Sequence, residues 1–555
     1  MGDFGHGFVG RREAAFTTLL PLRAQSYSAK ALLELSVAMK GAVDDVKDGP
    51  DPEENLLVPA GYTYFGQFID HDLTFDSTSS LDPSKPADPS NLRTPRFDLD
   101  CVYGDGPDAQ PFLYDPAGEK LLFRDETTTT GANDIAGQDL LRNPNGRAII
   151  GDKRNDENSI VSQVQLGVIK YHNAVVEFLR PKDPASWNTP FSLFVSARNE
   201  VRWTYQTLVV HDFLRRIVRG EVLEGLDGKS VAERARNYAL YTEDKRGNLP
   251  REFVAAAYRF GHSGVRTGYR MNAGMGNRFS IFPSSRDPGT KAGADSLLGF
   301  DPVTNNQVID SWERFFPASL PGVIPHESRN EPADAIERPA VRLQYAYKID
   351  PTLVDPLGVL PRAPIAGEGT TKEAEQQIAP AVLPDGEAHV SPPRPSLALL
   401  NLLRGDAYRI QSGQAIASAL QASGLQFKPI EVDSLVTRQP GSGDGMFEFA
   451  HIPKELIHDT PLWFYVLAEA QAPIVEHFKK HAEFDEKMLL NGVGSHTQLG
   501  WVGGRIVSEV FYGLLDSDPE SFVNAAPTGW KPILGPSTAP LVVRSLLKFA
   551  DPTNA

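Results

Sequence analysis

The segment Ile160–Leu179 contains no proline and brings apolar residues back at Ile160, Val161, Val164, Leu166, Val168, Ile169, Val175 and Val176. Returns three and four apart wind onto one face of an α-helix; a strand would need alternation. The same period recurs at Ala31–Lys40, where Leu32, Leu33, Leu35 and Val37 are apolar, and at Asn199–Arg216, Arg251–Gly261, Pro461–Leu490 and Val502–Leu515. Strand-like alternation is scarce and short. The predicted fold class is therefore mainly α, with little β.

A chain of 555 residues is long for one core, and length alone would suggest several domains. No repeat and no shift of composition marks a boundary. Two stretches, Ser77–Pro95 and Ala363–Pro395, are rich in turn-forming residues and read as surface excursions on a large domain. The net charge of −16 argues against nucleic acid or an anionic membrane as main partner. A single cysteine, Cys101, permits no intramolecular disulfide, so stability must come from packing or a metal. No run approaches the roughly 18 apolar residues of a membrane span. The amino terminus lacks the basic start and apolar stretch of a secretory signal, which gives a cytoplasmic protein as the default expectation.

The segment GYTYFGQFIDHDLTF sets Gln67, Asp70, His71 and Asp72 among Tyr62, Tyr64, Phe65, Phe68, Ile69 and Leu73. So many polar groups on a buried helix are costly unless each is satisfied. Gln67 and His71, four apart, share a face, and the two aspartates flank His71 and point elsewhere. One face can then carry an acid–base group while the flanks bind something else. Taken alone, Asp-His-Asp is not specific: it commonly marks a surface polar run or helix cap and in some cases a simple metal site, and the apolar surround is what favours a functional role.

Four further motifs follow. In RTPRFDLDCVYG, Thr94, Asp98 and Asp100 offer oxygens at alternating positions, with the Arg96 carbonyl between them. This suits a hard cation that takes six to eight oxygens, although such a pattern taken alone more often marks a polar turn. The segment beginning IIGDKRNDENSI holds Arg154 and Glu157, which by themselves read as a surface ion pair, followed by His172 and Asn173 in a helix. REFVAAAYRFGHSGVR places His262 on an apolar helix, where a lone histidine is commonly a satisfied core residue. LALLNLLRGDAY carries Asn401 and Arg404.

In this order the motifs resemble those of the animal-type haem peroxidase family, in the peroxidase–cyclooxygenase superfamily. The resemblance runs from about Tyr62 to Phe522. It implies one haem peroxidase domain over 1–555, core about 55–525 with N- and C-terminal extensions, holding haem b between a distal and a proximal helix. It implies His71 as distal acid–base catalyst, Gln67 as holder of the distal water or a halide, and Arg154 as the distal cation that polarises peroxide. His262 would ligate the iron, Asn401 would accept a hydrogen bond from it, and Arg404 and Arg259 would pair with haem propionates. Asp70 and Glu157 would form ester links to haem methyls. Calcium would lie among Asp72, Thr94, the Arg96 carbonyl, Asp98 and Asp100, and would fix His71 through its neighbour. His172 is assigned to packing. Asn158 stands where some members carry a methionine bonded to a haem vinyl, so that link is impossible and poorer chloride oxidation is expected. The implied partners are hydrogen peroxide and small anionic or aromatic electron donors.

Two other functions stay open. Dioxygenases of the superfamily use a tyrosyl radical three residues before the proximal histidine; Arg259 holds that position here and Tyr258 is one further back. A non-catalytic haem- or calcium-binding module would need none of His71, Gln67 and Arg154 together.

Overall fold

The computed structural model describes residues 14–41, 51–75, 90–126, 135–182, 190–273, 278–282, 296–324, 342–358, 360, 396–438, 447–481, 488–489, 492–534 and 540–551. Most of the first predicted loop and all of Ala363–Pro395 lie outside them. Helix dominates, as the apolar spacing predicts. Every sheet among the described residues has two antiparallel strands.

Helix α1 spans Ala29–Ala38 and begins where Ser28 Oγ accepts from the Ala31 amide. Strand β1, Glu54–Pro59, leads directly into α2, Gly61–Leu73. The short α3, Asp100–Tyr103, follows. Helix α4, Ser159–Leu179, is capped by Asn158, whose Oδ1 accepts from the Ile160 amide at 2.8 Å. The residue that replaces a methionine in the resemblance therefore starts the longest buried helix.

The periodic stretch ending at Arg216 is not one uniform helix. Helix α5, Pro190–Leu208, passes through a π-turn at Val209–Phe213. The wider turn brings Asp212 where three groups need an acceptor: Tyr62 Oη at 2.5 Å, Arg216 Nε at 2.8 Å and the Val543 amide at 2.9 Å. Helix propensity yields here to a buried carboxylate tied to three elements.

The predicted proximal helix also breaks. Helix α6, Arg251–Ala255, stops at Ala256, whose φ of −138° is not helical, and a 3-10 helix carries Ala257–His262. Side chains take the carbonyls a continuous helix would use: Arg259 Nε donates to Val254 O at 2.9 Å and Trp463 Nε1 to Arg259 O at 3.1 Å. Strand β2, Tyr345–Tyr347, pairs with β1. Helix α7 is Leu397–Ala407, and α8, Leu462–Lys480, ends before the predicted Leu490. Helix α9, Trp501–Ser517, is buried along nearly its whole length. Helix α10, Val543–Ala550, packs on α4. One hydrophobic cluster joins residues from Phe16 to Leu547, and α2 and the 3-10 helix face each other within it.

Candidate active site

Helix α2 turns Gln67, Asp70 and His71 toward a cavity of about 440 Å³, inside the usual range for ligand pockets. The opposite wall comes from Tyr258, Arg259 and His262, and β2 closes one side with Ala346 and Tyr347. Tyr258 ties the walls together: its hydroxyl donates to the Gly66 carbonyl of α2 at 3.1 Å.

His71 is buried, and its Nδ1 meets Asn155 Oδ1 at 2.7 Å. The Asn155 amide is oriented by Gln165: its Nδ2 donates to Gln165 Oε1 at 2.9 Å, and Gln165 Nε2 in turn donates to the Cys101 carbonyl at 3.4 Å. Nδ1 therefore carries a proton, and Nε2 faces the cavity side, 3.5 Å from Glu157 Oε1. Glu157 also accepts from Gln67 Nε2 at 2.5 Å. Asn155 is a site residue that the sequence reading missed; its only trace was a polar run ahead of a helix.

Arg154 lies close to this group but is not among the residues that line the cavity. Its Nη2 donates to the carbonyls of His71, at 3.0 Å, and Thr74, and to Asp152 Oδ2 at 2.7 Å. The guanidinium carbon lies 4.7 Å from the Phe75 ring centre. It thus holds the end of α2 rather than facing into the cavity. Burial alone would raise the Asp152 carboxyl; the guanidiniums of Arg154 and Arg93 outweigh it and hold that group well below the usual carboxylate range.

On the far face of α2, Asp72 meets Asp98 and Asp100, with one oxygen of each within 4.8 Å of the others. Thr94 Oγ1 donates to Asp98 Oδ2 at 2.7 Å. Asp100 also pairs with Arg93 Nη1 at 2.8 Å. Arg96 sends its side chain to Asp518, 3.5 Å away. Neither buried oxygen of Asp72 has a well-formed hydrogen bond. Burial, then the neighbouring Asp98 and Asp100, push its carboxyl well up. Carboxylates gathered this closely fit a cation.

Across the cavity, burial first and Arg259 second lower the His262 imidazole to about 3, so it is neutral and can ligate a metal. Asn401 touches it as expected, at 2.8 Å from Nδ1. The donor roles are reversed from the expectation: the amide nitrogen faces Nδ1, and the oxygen accepts from Arg259 Nη1 at 3.2 Å. The physical reason is competition, since the guanidinium can only donate and takes the amide oxygen. With the amide nitrogen donating to Nδ1, the neutral ring carries its proton on Nε2; ligation through Nε2 would need the other tautomer, and Arg259 would have to release the Asn401 oxygen. Arg404 sits three residues beyond Asn401 on α7 and does not line the cavity. His172, assigned to packing, is buried between the Tyr103 hydroxyl at 3.0 Å and the Glu119 carbonyl at 2.9 Å.

Two histidines thus face one largely apolar cavity from opposite walls, one fixed by a hydrogen bond at Nδ1 and the other held neutral. Such an arrangement fits a flat metal-bearing cofactor. Residues 78–285 match the animal haem peroxidase family model. Over that stretch the chain is similar to the animal haem peroxidases. The cofactor that this family implies is haem, and its chemistry is that of an oxidoreductase. The matched segment includes the acidic loop, Arg154, Glu157 and His262, and leaves out α2 and Asn401.

Among solved structures, Peroxidase A from Dictyostelium discoideum is 12% identical with a TM-score of 0.51, over 92% of this chain and 90% of that one. That likeness shows a shared fold. Fatty acid alpha-dioxygenase from Oryza sativa is 14% identical with a TM-score of 0.45, over 98% of this chain and 80% of that one. The enzyme of that name from Arabidopsis thaliana is 14% identical with a TM-score of 0.46, over 98% and 76%. No curated protein sequence matches the chain.

Proposed function

We propose that this peroxidase-type chain is a single-domain haem peroxidase over 1–555 that reduces hydrogen peroxide and oxidises small donors. The observation that carries the reading is His71, locked by Asn155 so that Nε2 is free on the cavity side, opposite the neutral His262. Haem b, when bound, supplies an iron centre able to take two oxidising equivalents from peroxide.

The protein's own part is positional and acid–base. His262 would hold the iron through Nε2, with Asn401 on Nδ1. Arg259, at the cavity wall, and Arg404 would pair with propionates, and Asp70, which lines the cavity, would form an ester link. His71 Nε2 accepts one peroxide proton and returns it to the departing oxygen, while Asn155 keeps the ring in register. Gln67 would hold the distal water. Arg154 acts through His71, by fixing the carbonyl end of its helix. Calcium would sit among Asp72, Thr94, the Arg96 carbonyl, Asp98 and Asp100, and hold the other flank of His71.

The test is turnover of a phenol with peroxide by the haem-loaded chain. His71→Ala should lower it by about 10² to 10⁴. Unchanged turnover would remove His71 from the mechanism. A dioxygenase reading has one observation behind it, the placement of Tyr258 on the cavity wall. Oxygen uptake with linoleate that disappears in Tyr258→Phe would favour it.

A further inference from the structure

The distal wall carries two carboxylates, Asp70 and Glu157, and among the described lining residues no guanidinium or ammonium stands with them. Arg154, the cation expected there, is committed to His71 O, Thr74 O and Asp152 behind the helix. The one arginine on the lining, Arg259, belongs to the opposite wall, where it donates to Asn401.

Glu157 is fixed on the distal side. Its Oε1 accepts from Gln67 Nε2 at 2.5 Å and lies 3.5 Å from His71 Nε2. An ester at this carboxyl would remove its charge and weaken it as an acceptor for Gln67. Among the described residues Asp70 has no comparable partner on the cavity side; it accepts from Thr74 Oγ1, one turn along the same helix.

We infer that Glu157 stays a free carboxylate and sets donor specificity, excluding halide and thiocyanate from the distal cavity and leaving it to neutral or cationic aromatic donors, phenols and aromatic amines. The inference rests on the peroxidase reading above. A fixed negative charge in a partly desolvated cavity repels an approaching anion, attracts a cation and leaves a neutral ring indifferent. The rings of Tyr62, Phe213, Tyr258 and Phe282 give an aromatic guest apolar surface. Each of two phenols loses one electron and one proton and leaves as an aryloxyl radical. Hydrogen peroxide takes both electrons and both protons and leaves as two waters.

Thiocyanate binding to the haem-loaded full chain, followed by the shift of the Soret band, tests this at equilibrium. Glu157→Gln should bind thiocyanate about tenfold tighter than wild type, while affinity for a neutral phenol is unchanged. Equal thiocyanate affinity in the two proteins would overturn the inference. Mass spectrometry of the proteolytic peptide bearing Glu157, after repeated peroxide cycles, should show the unmodified mass; a haem adduct on it would also overturn the inference. A wild-type chain with no Soret band after haem loading would instead overturn the peroxidase reading, and this inference with it.

Discussion

His71 owes its proton placement to a residue far along the chain. Asn155 reads its Nδ1, and Gln165 in turn fixes Asn155. Asn155→Ala should slow the reaction of the haem-loaded protein with peroxide by about 10- to 100-fold, the usual cost of losing such an orienting partner. Stopped-flow mixing checks this, and a rate equal to wild type would show that the tautomer is set elsewhere. A second residue-scale prediction concerns pH. Burial lowers the His172 imidazole to about 4, so the folded protein holds it neutral. An unfolded histidine titrates near 6.5, so between about 6.5 and 4 the unfolded state binds the extra proton and stability falls as pH falls. Replacing His172 with Gln should flatten that dependence by about 1.4 kcal/mol per pH unit at most. Denaturant melts at several pH values give the slope, and an unchanged slope would exclude His172 as a contributor.

At the scale of elements, the approach of the Arg154 turn to α3 depends on a glycine. A Cβ on Gly151 would lie 2.5 Å from the Asp100 carbonyl oxygen and 2.6 Å from that of Cys101, and backbone cannot give way cheaply. Gly151→Ala should therefore destabilise the fold by about 1–3 kcal/mol, read as a lower denaturant midpoint; an unchanged midpoint would mean that the turn adapts. Periodicity placed α1, α4 and α9 closely, because one apolar face per helix is written locally, but it began α5 too late, ran past the end of α8 and did not mark α10. It missed the π-turn at Val209–Phe213 and the break at Ala256. At both, groups of other elements claim polar atoms: the Tyr62 hydroxyl and the Val543 amide at Asp212, and Trp463 Nε1 at the Arg259 carbonyl. The positions of His71, Asp72, Asp98 and His262 were legible as motifs. The direction of Arg154 and the donor role of Asn401 were not, since each depends on which acceptors the fold brings near.

At the scale of the whole molecule, one apolar cluster encloses the cavity while a separate acidic cluster sits behind α2. No disulfide is available to stabilise this arrangement. If a cation neutralises Asp72, Asp98 and Asp100, chelation should lower the melting temperature, and added calcium should restore it. Asp98→Asn should reduce that calcium response, and a melting temperature indifferent to chelator would refute a structural calcium. Among the described residues no helix is long and apolar enough to cross a membrane. The central claim is that His71 and His262 face one haem, and the absorption spectrum of the haem-loaded chain before and after one equivalent of peroxide tests it most directly. The account predicts a Soret band that peroxide shifts in wild type, a band lost or displaced in His262→Ala, and a peroxide response lost in His71→Ala. A wild-type protein that gives no Soret band, or a His262→Ala spectrum identical to wild type, would contradict it.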